Sequence, residues 1–280
     1  MFVIEEMRSQ FNYSLTSTKS VFMSAVMATM VMRLITSQEA VVHVNNYSHP
    51  DLMSLWLYLL LGFCFGVIGI LFNKMVLSTL DLYLFIHKGQ RWRFVAIGLF
   101  LGAVFGALSV LEPNLAFSGM ELIPEVEGGH YFAGALMVIF LFRVLTTLLS
   151  FSSGAPGGVF APTLALGTVF GMLFGLAAHA LFPDIVTEPG TFAIAGMGGL
   201  FAATVRAPIT GILLVIEMTS NYEMILPLIV TCLGATMVAQ SLGGRPIYTQ
   251  LLERTMKLSM RQKRQEKTRK AMSRLSGQDK

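Results

Sequence analysis

Charged residues are scarce in this sequence. Only 13% of its 280 residues are Asp, Glu, Lys or Arg, whereas a soluble domain has about 25%. Hydrophobic residues make up 54% of the chain, and its mean hydropathy is +0.66. This composition excludes a soluble enzyme, a disordered chain and a nucleic-acid-binding domain of the ordinary kind, and it indicates a large core that faces lipid.

Cysteine and metal-binding patterns are also scarce. The two cysteines, Cys64 and Cys232, lie inside apolar runs without CxxC spacing or histidine partners, which argues against a disulfide framework and a zinc site. The five histidines are scattered, and no H-E-x-x-H occurs. We therefore expect no metal and no cofactor.

An enzyme of another class, an intramembrane serine protease, finds little support. Ser153-Gly154 has the form of a nucleophile turn, but position 151 is Phe where such enzymes have Gly. His179 is predicted near a helix end rather than on a neighbouring helix. We expect that the chain is not an enzyme.

Long apolar runs are what the sequence has in abundance, and they predict an all-α, polytopic membrane protein. Residues 52–86 exceed the ~20 residues of one perpendicular crossing, so this segment must be tilted or broken, and its glycines allow a tight neighbour or a break. Several other runs are too short to cross alone, which predicts half-helices. The predicted apolar segments are 19–35, 52–86, 94–111, 131–151, 164–182, 192–205, 209–218 and 224–242.

Proline and polar residues predict where some helices begin. Ala207-Pro208 and Phe160-Ala161-Pro162 place proline in a first helical turn. Ser220 and Glu223 have the spacing of a capping box, which predicts a helix start just before the last apolar run.

The loops predict the orientation. Residues 87–93 carry three basic side chains, whereas residues 36–51, 112–130 and 183–190 carry acidic side chains and no Lys or Arg. Positive charge marks the cytoplasmic side. We therefore expect residues 87–93 on the cytoplasmic side of a bacterial inner (plasma) membrane, with the acidic loops on the outer side.

The C-terminal tail carries the basic charge of the chain. From Arg254 onward there are ten Lys or Arg and two acidic residues, a net charge of +8, while the preceding part has a net charge of −4. We expect a transmembrane region over residues 1–250 and a basic cytoplasmic tail over 251–280. Such a tail attracts anionic lipid headgroups, and nucleic acid is not an expected partner because no nucleic-acid-binding pattern accompanies it.

A glycine- and proline-rich segment interrupts the apolar runs at residues 152–162. Non-helical backbone at membrane depth is tolerated only where it is buried in protein or lines a wet cavity. The segment leads into a helix whose free N–H groups and positive dipole end could hold an anion without a cationic side chain. A structural turn between two packed helices is the alternative interpretation.

Specific motifs give the sequence a family resemblance. Gly158-Val159-Phe160-Ala161-Pro162 matches the G-x-F-x-P signature of the CLC chloride channel and transporter family, and the chain resembles its bacterial proton-coupled exchangers. Further matching segments are 193–198, 206–211 and 243–248. The resemblance implies a CLC-type fold with two inverted halves and tilted, broken helices.

The resemblance also implies functional residues. Chloride would be bound by the backbone N–H groups of Val159 and Phe160, within the motif bounded by Gly158 and Pro162, and by the hydroxyl of Tyr248. Glu6, the second residue of a Glu-Glu pair, would be the internal proton-transfer carboxylate; Glu5 we interpret as structural.

Two other signatures of the family, G-S-G-I-P and G-R-E-G-P, do not occur in this sequence. The second carries the gate glutamate. We therefore expect a second inverted repeat together with the last helices of the first half, N-terminally incomplete and dependent on the missing half. The expected function is chloride transport as part of a 2Cl⁻/H⁺ antiporter, and the alternatives are a passive voltage-gated-type chloride channel and an inactive truncated remnant.

The resemblance implies a homodimer as well, in which each subunit has its own pore. The implied dimer surface lies on helices around residues 19–35 and 209–242. Chloride, protons and membrane lipid are the other expected partners.

Overall fold

All elements in the described part of the chain are helical. The computed structural model describes Glu5 and residues 15–35, 42–45, 47, 50–87, 90–111, 119–129, 131–153 and 157–276. The helices are α1 (Leu15–Ile35), α2 (Leu55–His87), α3 (Arg91–Leu111), α4 (Leu122–Glu127), α5 (Ala133–Ser152), α6 (Phe160–Leu181), α7 (Gly190–Val205), α8 (Pro208–Thr219), α9 (Ile225–Ser241) and α10 (Ile247–Ser276), with 3₁₀ turns at Leu52–Ser54 and Tyr222–Met224.

Helix α7 is the centre of the packing. All 16 of its residues are buried, and it contacts α2, α6, α8 and α9. Within the part of the chain that the structure describes, five helical segments are long and apolar enough to cross a membrane, whereas α7 and α8, with 16 and 12 residues, are not. The prediction of short half-helices is therefore confirmed, and the all-α membrane fold is confirmed with it.

The backbones of α6 and α7 approach each other closely because both helices present glycine at the contact. A Cβ atom built on Gly167 would lie 2.2 Å from the carbonyl oxygen of Gly196, and one built on Gly171 would lie 2.2 Å from that of Phe192. Inside a membrane, helices associate through dispersion contacts rather than through the exclusion of water. Small residues at the contact allow the two backbones to come close enough for such contacts.

The long segment at residues 52–86 contains one 33-residue helix, α2, after its 3₁₀ turn. Of the two roles that the sequence allowed for its glycines, close packing is the one observed. A Cβ atom on Gly62 would lie 2.6 Å from the carbonyl oxygen of Thr231 on α9, and one on Gly69 would lie 2.6 Å from the Cβ of Ala203 on α7.

Helices α1 and α3 lie at the outside of this bundle. Many apolar side chains of α1 are exposed, including Met23 and Leu34. On α3, a Cβ atom built on Gly98, Gly102 or Gly106 would have nothing within 4 Å. These faces are available to lipid or to another protein surface.

One sequence-based expectation about local structure needs correction. Ser220 does not begin a helix: it is the left-handed C-cap of α8, with φ 53°, and α9 begins at Ile225 after a 3₁₀ turn. The capping-box prediction was wrong because Ser220 ends α8, and Glu223 lies in the 3₁₀ turn that precedes α9. Sequence reasoning also missed α4, a six-residue helix inside the acidic loop.

Candidate anion site

Helix α6 begins where the glycine- and proline-rich segment ends. Its first residue is Phe160, and its N-cap, Val159, makes no side-chain capping hydrogen bond. The side chain of Val159 is buried, whereas Gly158 and Phe160 are exposed. Pro162 lies in the first turn, as predicted, where its missing N–H costs nothing. The described start of α6 thus keeps free backbone donors at a partly open surface.

The remaining parts of the predicted site lie on the same core. The ring of Phe160 packs edge-to-face on that of Phe201 in α7, with ring centroids 5.5 Å apart. Val159 and Phe201 belong to the main buried cluster, and the half-buried Tyr248, in the first turn of α10, packs against that cluster. The fold therefore joins the start of α6 and the start of α10 through one packed core.

Glu6 lies outside the described residues, but its neighbour Glu5 does not. The Glu5 carboxylate accepts hydrogen bonds from the backbone N–H groups of Ile209 (3.0 Å) and Thr210 (2.8 Å), and from the Thr210 hydroxyl (2.8 Å). These N–H groups belong to the first turn of α8. Glu5 thus caps α8 across 204 residues of sequence, which is a structural role, as its interpretation from the sequence has it.

A break of two residues, Arg206 and Ala207, separates α7 from α8. Arg206 adopts the left-handed conformation, with φ 66° and ψ 33°. Proline follows at the first position of α8, as predicted. Side chains from elsewhere satisfy the exposed backbone groups: Glu5 caps α8, and the amide of Asn73 donates to the carbonyl of Thr204 in the last turn of α7 (3.0 Å).

Helix α4 contains a buried carboxylate that the sequence did not single out. Both oxygens of Glu127 accept from the backbone N–H of Asn45, at 3.2 and 3.3 Å, and Glu127 is only 4% exposed. Burial raises the pKa of Glu127, although the hydrogen bonds from Tyr47 and Asn45 oppose this effect. Among the described residues, no cluster of His, Cys, Asp and Glu has the arrangement of a metal site.

The helices long enough to cross a membrane, the broken pair α7–α8 and the interrupted backbone before α6 define a multi-pass membrane protein. The family model described as voltage gated chloride channel matches residues 1–240. The chain belongs to this family.

Curated relatives are named H(+)/Cl(-) exchange transporter ClcA. The chain is 58% identical over 257 residues to that of Vibrio campbellii, which is 92% of this chain and 55% of the relative. It is 52% identical over 256 residues to that of Yersinia pestis, which is 91% of this chain and 54% of the relative. The chain therefore spans about half the length of the relatives that it matches.

Solved structures agree with the fold. The crystal structure of a slow cyanobacterial Cl⁻/H⁺ antiporter matches with a TM-score of 0.84 and 41% identity, covering 91% of this chain and 59% of that one. A CLC-type fluoride/proton antiporter matches with a TM-score of 0.66 at 17% identity, over 86% of this chain and 57% of that one. The second likeness concerns the fold alone, and both confirm the CLC-type fold.

Proposed function

We propose that this chain supplies half of a chloride pathway in a proton-coupled antiporter that exchanges two chloride ions for one proton. Its relatives that are named as exchangers, and the cyanobacterial antiporter at 41% identity, support this. The region of those relatives that the chain does not span would complete the pathway and supply the gate glutamate.

The observation that carries the proposal is the start of α6. Helix N-termini attract anions because their free N–H groups point outward and carry partial positive charge. At Val159 and Phe160 this end has no side-chain cap, and it adjoins an exposed surface. A partial charge also suits transport, since an ion held by a full cationic side chain would leave slowly.

Tyr248 would complete the site from the start of α10. Its hydroxyl can donate a hydrogen bond to an anion without adding charge. Because Tyr248 and Val159 pack against the same core, both contacts would be held in a fixed relation. Glu6 would transfer protons from the inner side. It follows Glu5 directly in sequence, and Glu5 is anchored to the first turn of α8.

We place the protein in the bacterial inner membrane with the basic tail in the cytoplasm, on the charge pattern of the loops. We also propose a homodimer through α1, α8 and α9. The exposed apolar side chains on these helices, such as Met27, Ile209 and Met237, are compatible with such an interface.

Chloride efflux from liposomes, with a simultaneous reading of external pH, tests the proposal. The 280-residue chain would be reconstituted alone and together with the region of the Vibrio campbellii relative that it does not span. We expect coupled chloride and proton flux only in the mixture. Chloride flux without proton movement would instead favour a passive channel. The absence of chloride flux in both samples would favour an inactive remnant.

The Tyr248→Phe variant in the same mixture tests the tyrosine hydroxyl, because this substitution removes the hydroxyl and keeps the ring. We expect the KM for chloride, measured from the flux at different chloride concentrations, to rise. An unchanged dependence would remove Tyr248 from the site.

A further inference from the structure

We infer that Asn73 and Arg206 are positioning residues for Tyr248: together they fix the turn at residues 243–246, from which α10 and the tyrosine begin. This inference rests on the proposed role of Tyr248 in chloride binding. Neither residue belongs to the candidate anion site itself. Both act on the backbone that leads to it.

Arg206 ties this turn to the end of α9. Its Nη2 donates to the carbonyl oxygens of Ala239 and Gly244, at 2.5 Å each. Ala239 lies in the last turn of α9, where the negative end of the helix dipole attracts a cation. Both bonds come from one nitrogen whose two hydrogens are fixed in the guanidinium plane, a geometric constraint that an ammonium group lacks.

The turn has a defined shape of its own. The N–H of Gly243 donates to the carbonyl of Gln240, and the N–H of Gly244 donates to that of Ala239, both at 3.0 Å. With φ 70° at Gly243, this is a Schellman motif. Arg206 therefore holds an already rigid turn rather than a loose loop.

Asn73 ties the same turn to α2 and α7. Its side chain is only 4% exposed. Its Nδ2 donates to the carbonyl of Thr204 at 3.0 Å and to that of Arg245 at 3.3 Å. The turn also packs directly on α2, because a Cβ atom on Gly244 would lie 2.6 Å from the Cγ1 of Ile70.

The consequence falls on Tyr248 because little chain separates it from these anchors. Arg245 is held by Asn73, Pro246 fixes the next backbone angle, and Ile247 is fully buried at the start of α10. A hydroxyl hydrogen bond works over a narrow range of distances. A small tilt of the first turn of α10 would therefore weaken an anion contact without unfolding the helix.

A double-mutant cycle tests this inference. The whole chain would be joined to the region of the Vibrio campbellii relative that it does not span, and chloride flux would be measured against chloride concentration. We expect Asn73→Leu and Arg206→Lys each to raise the KM for chloride about fivefold while the maximal rate stays within twofold. In the Tyr248→Phe background, the same substitutions should raise the KM no further.

Tyr58→Phe is the matched control for general loss of stability. It removes a buried hydrogen bond, 2.7 Å from the Tyr58 hydroxyl to Thr191, in the first turn of the same helix α2. We expect its KM for chloride to be unchanged. If Asn73→Leu does not yield folded protein, Arg206→Lys, which keeps the charge and most of the stem, carries the cycle alone.

Each other outcome is decisive. Additive effects of Asn73→Leu or Arg206→Lys with Tyr248→Phe would overturn the inference, because the residues would then act through another group. A shift of the KM by Tyr58→Phe as large as theirs would overturn it as well. If Tyr248→Phe alone left the KM unchanged, the proposed role of the tyrosine would fail first, and the positioning role would fall with it.

Discussion

The starts of α6 and α8 are two helix N-termini that differ in what faces them. At α8 a resident carboxylate, Glu5, accepts two backbone hydrogen bonds and one from a hydroxyl. At α6, Val159 offers no side-chain cap, and the adjoining backbone is exposed. The same physical chemistry thus serves structure at α8, where the anion is the protein's own carboxylate, whereas the start of α6 has no side-chain cap at its N-cap residue.

The two helix starts carry the same signal in the sequence, although their partners in the structure differ. Pro208 and Pro162 each predicted a helix start, and both predictions are confirmed. Nothing local to Pro208 indicates its capping carboxylate, however, because Glu5 lies far away in sequence.

Gly167→Leu should have the largest effect, since it removes the contact that holds α6 against α7. Its Cβ would lie 2.2 Å from the carbonyl oxygen of Gly196, where neither backbone can retreat. We expect a loss of more than ~3 kcal/mol of stability, measured as loss of the folded, monodisperse protein in detergent. Gly102→Leu on α3, which has open space around it, is the control, and an equal loss there would refute the packing argument.

Glu5→Ala should have the next largest effect, because it leaves the first turn of α8 without its cap. We expect a loss of about 1–2 kcal/mol, seen as a lower midpoint in thermal unfolding of the detergent-solubilised chain. Asp184→Ala, an exposed acidic residue in the loop before α7, should leave the midpoint unchanged. An unchanged unfolding midpoint in Glu5→Ala would mean that Glu5 does not stabilise the start of α8, and that the two helix ends do not differ in the way described.

Val159→Pro tests the open end directly by removing one N–H. Its φ of −86° is close to the angle that proline takes, so the helix start should survive. In the chimera with the Vibrio campbellii region, we expect the KM for chloride to rise about tenfold, the effect of losing one hydrogen bond to a charged group. Val159→Ala shortens the same buried side chain but keeps the N–H, and a comparable rise for this variant would show that packing, not the donor, matters.

Glu127→Gln should have the smallest effect and concerns a carboxylate that accepts hydrogen bonds from Asn45 and Tyr47 rather than from a helix end. Because burial raises the pKa of Glu127, its contribution to stability is full below its ordinary pKa and is lost as the pH rises through the raised value. We expect unfolding midpoints of the wild type to fall over this window in mildly acidic buffer. The Gln variant should lack that part of the slope, and identical slopes would contradict the shift.

The sequence predicted the fold well where the signal is local, and less well where it depends on distant residues. Apolar runs placed the main helices to within a few residues, and the short runs at 192–205 and 209–218 indicated α7 and α8. The capping box at Ser220 failed because a polar residue can end one helix as well as begin another. The roles of Asn73 and Arg206 could not be read from sequence, since their partners lie on other helices.

The candidate site was predictable in a different way. Its motif residues were recognised from a family pattern, while the contacts that support them are not visible in that pattern. Arg206 lies in a segment, 206–211, that matches the family, but the match does not say what its side chain contacts. The structure gives that contact two named acceptors, Ala239 and Gly244.

The burial of α7 has a consequence for how the protein is made. With 16 residues, this helix is about 24 Å long, shorter than the ~30 Å hydrocarbon layer, so it is a poor substrate for insertion by itself. It must therefore enter the bilayer together with the helices that pack against it, α2, α6, α8 and α9. A substitution that weakens those contacts would thus impair membrane insertion as well as the stability of the folded protein.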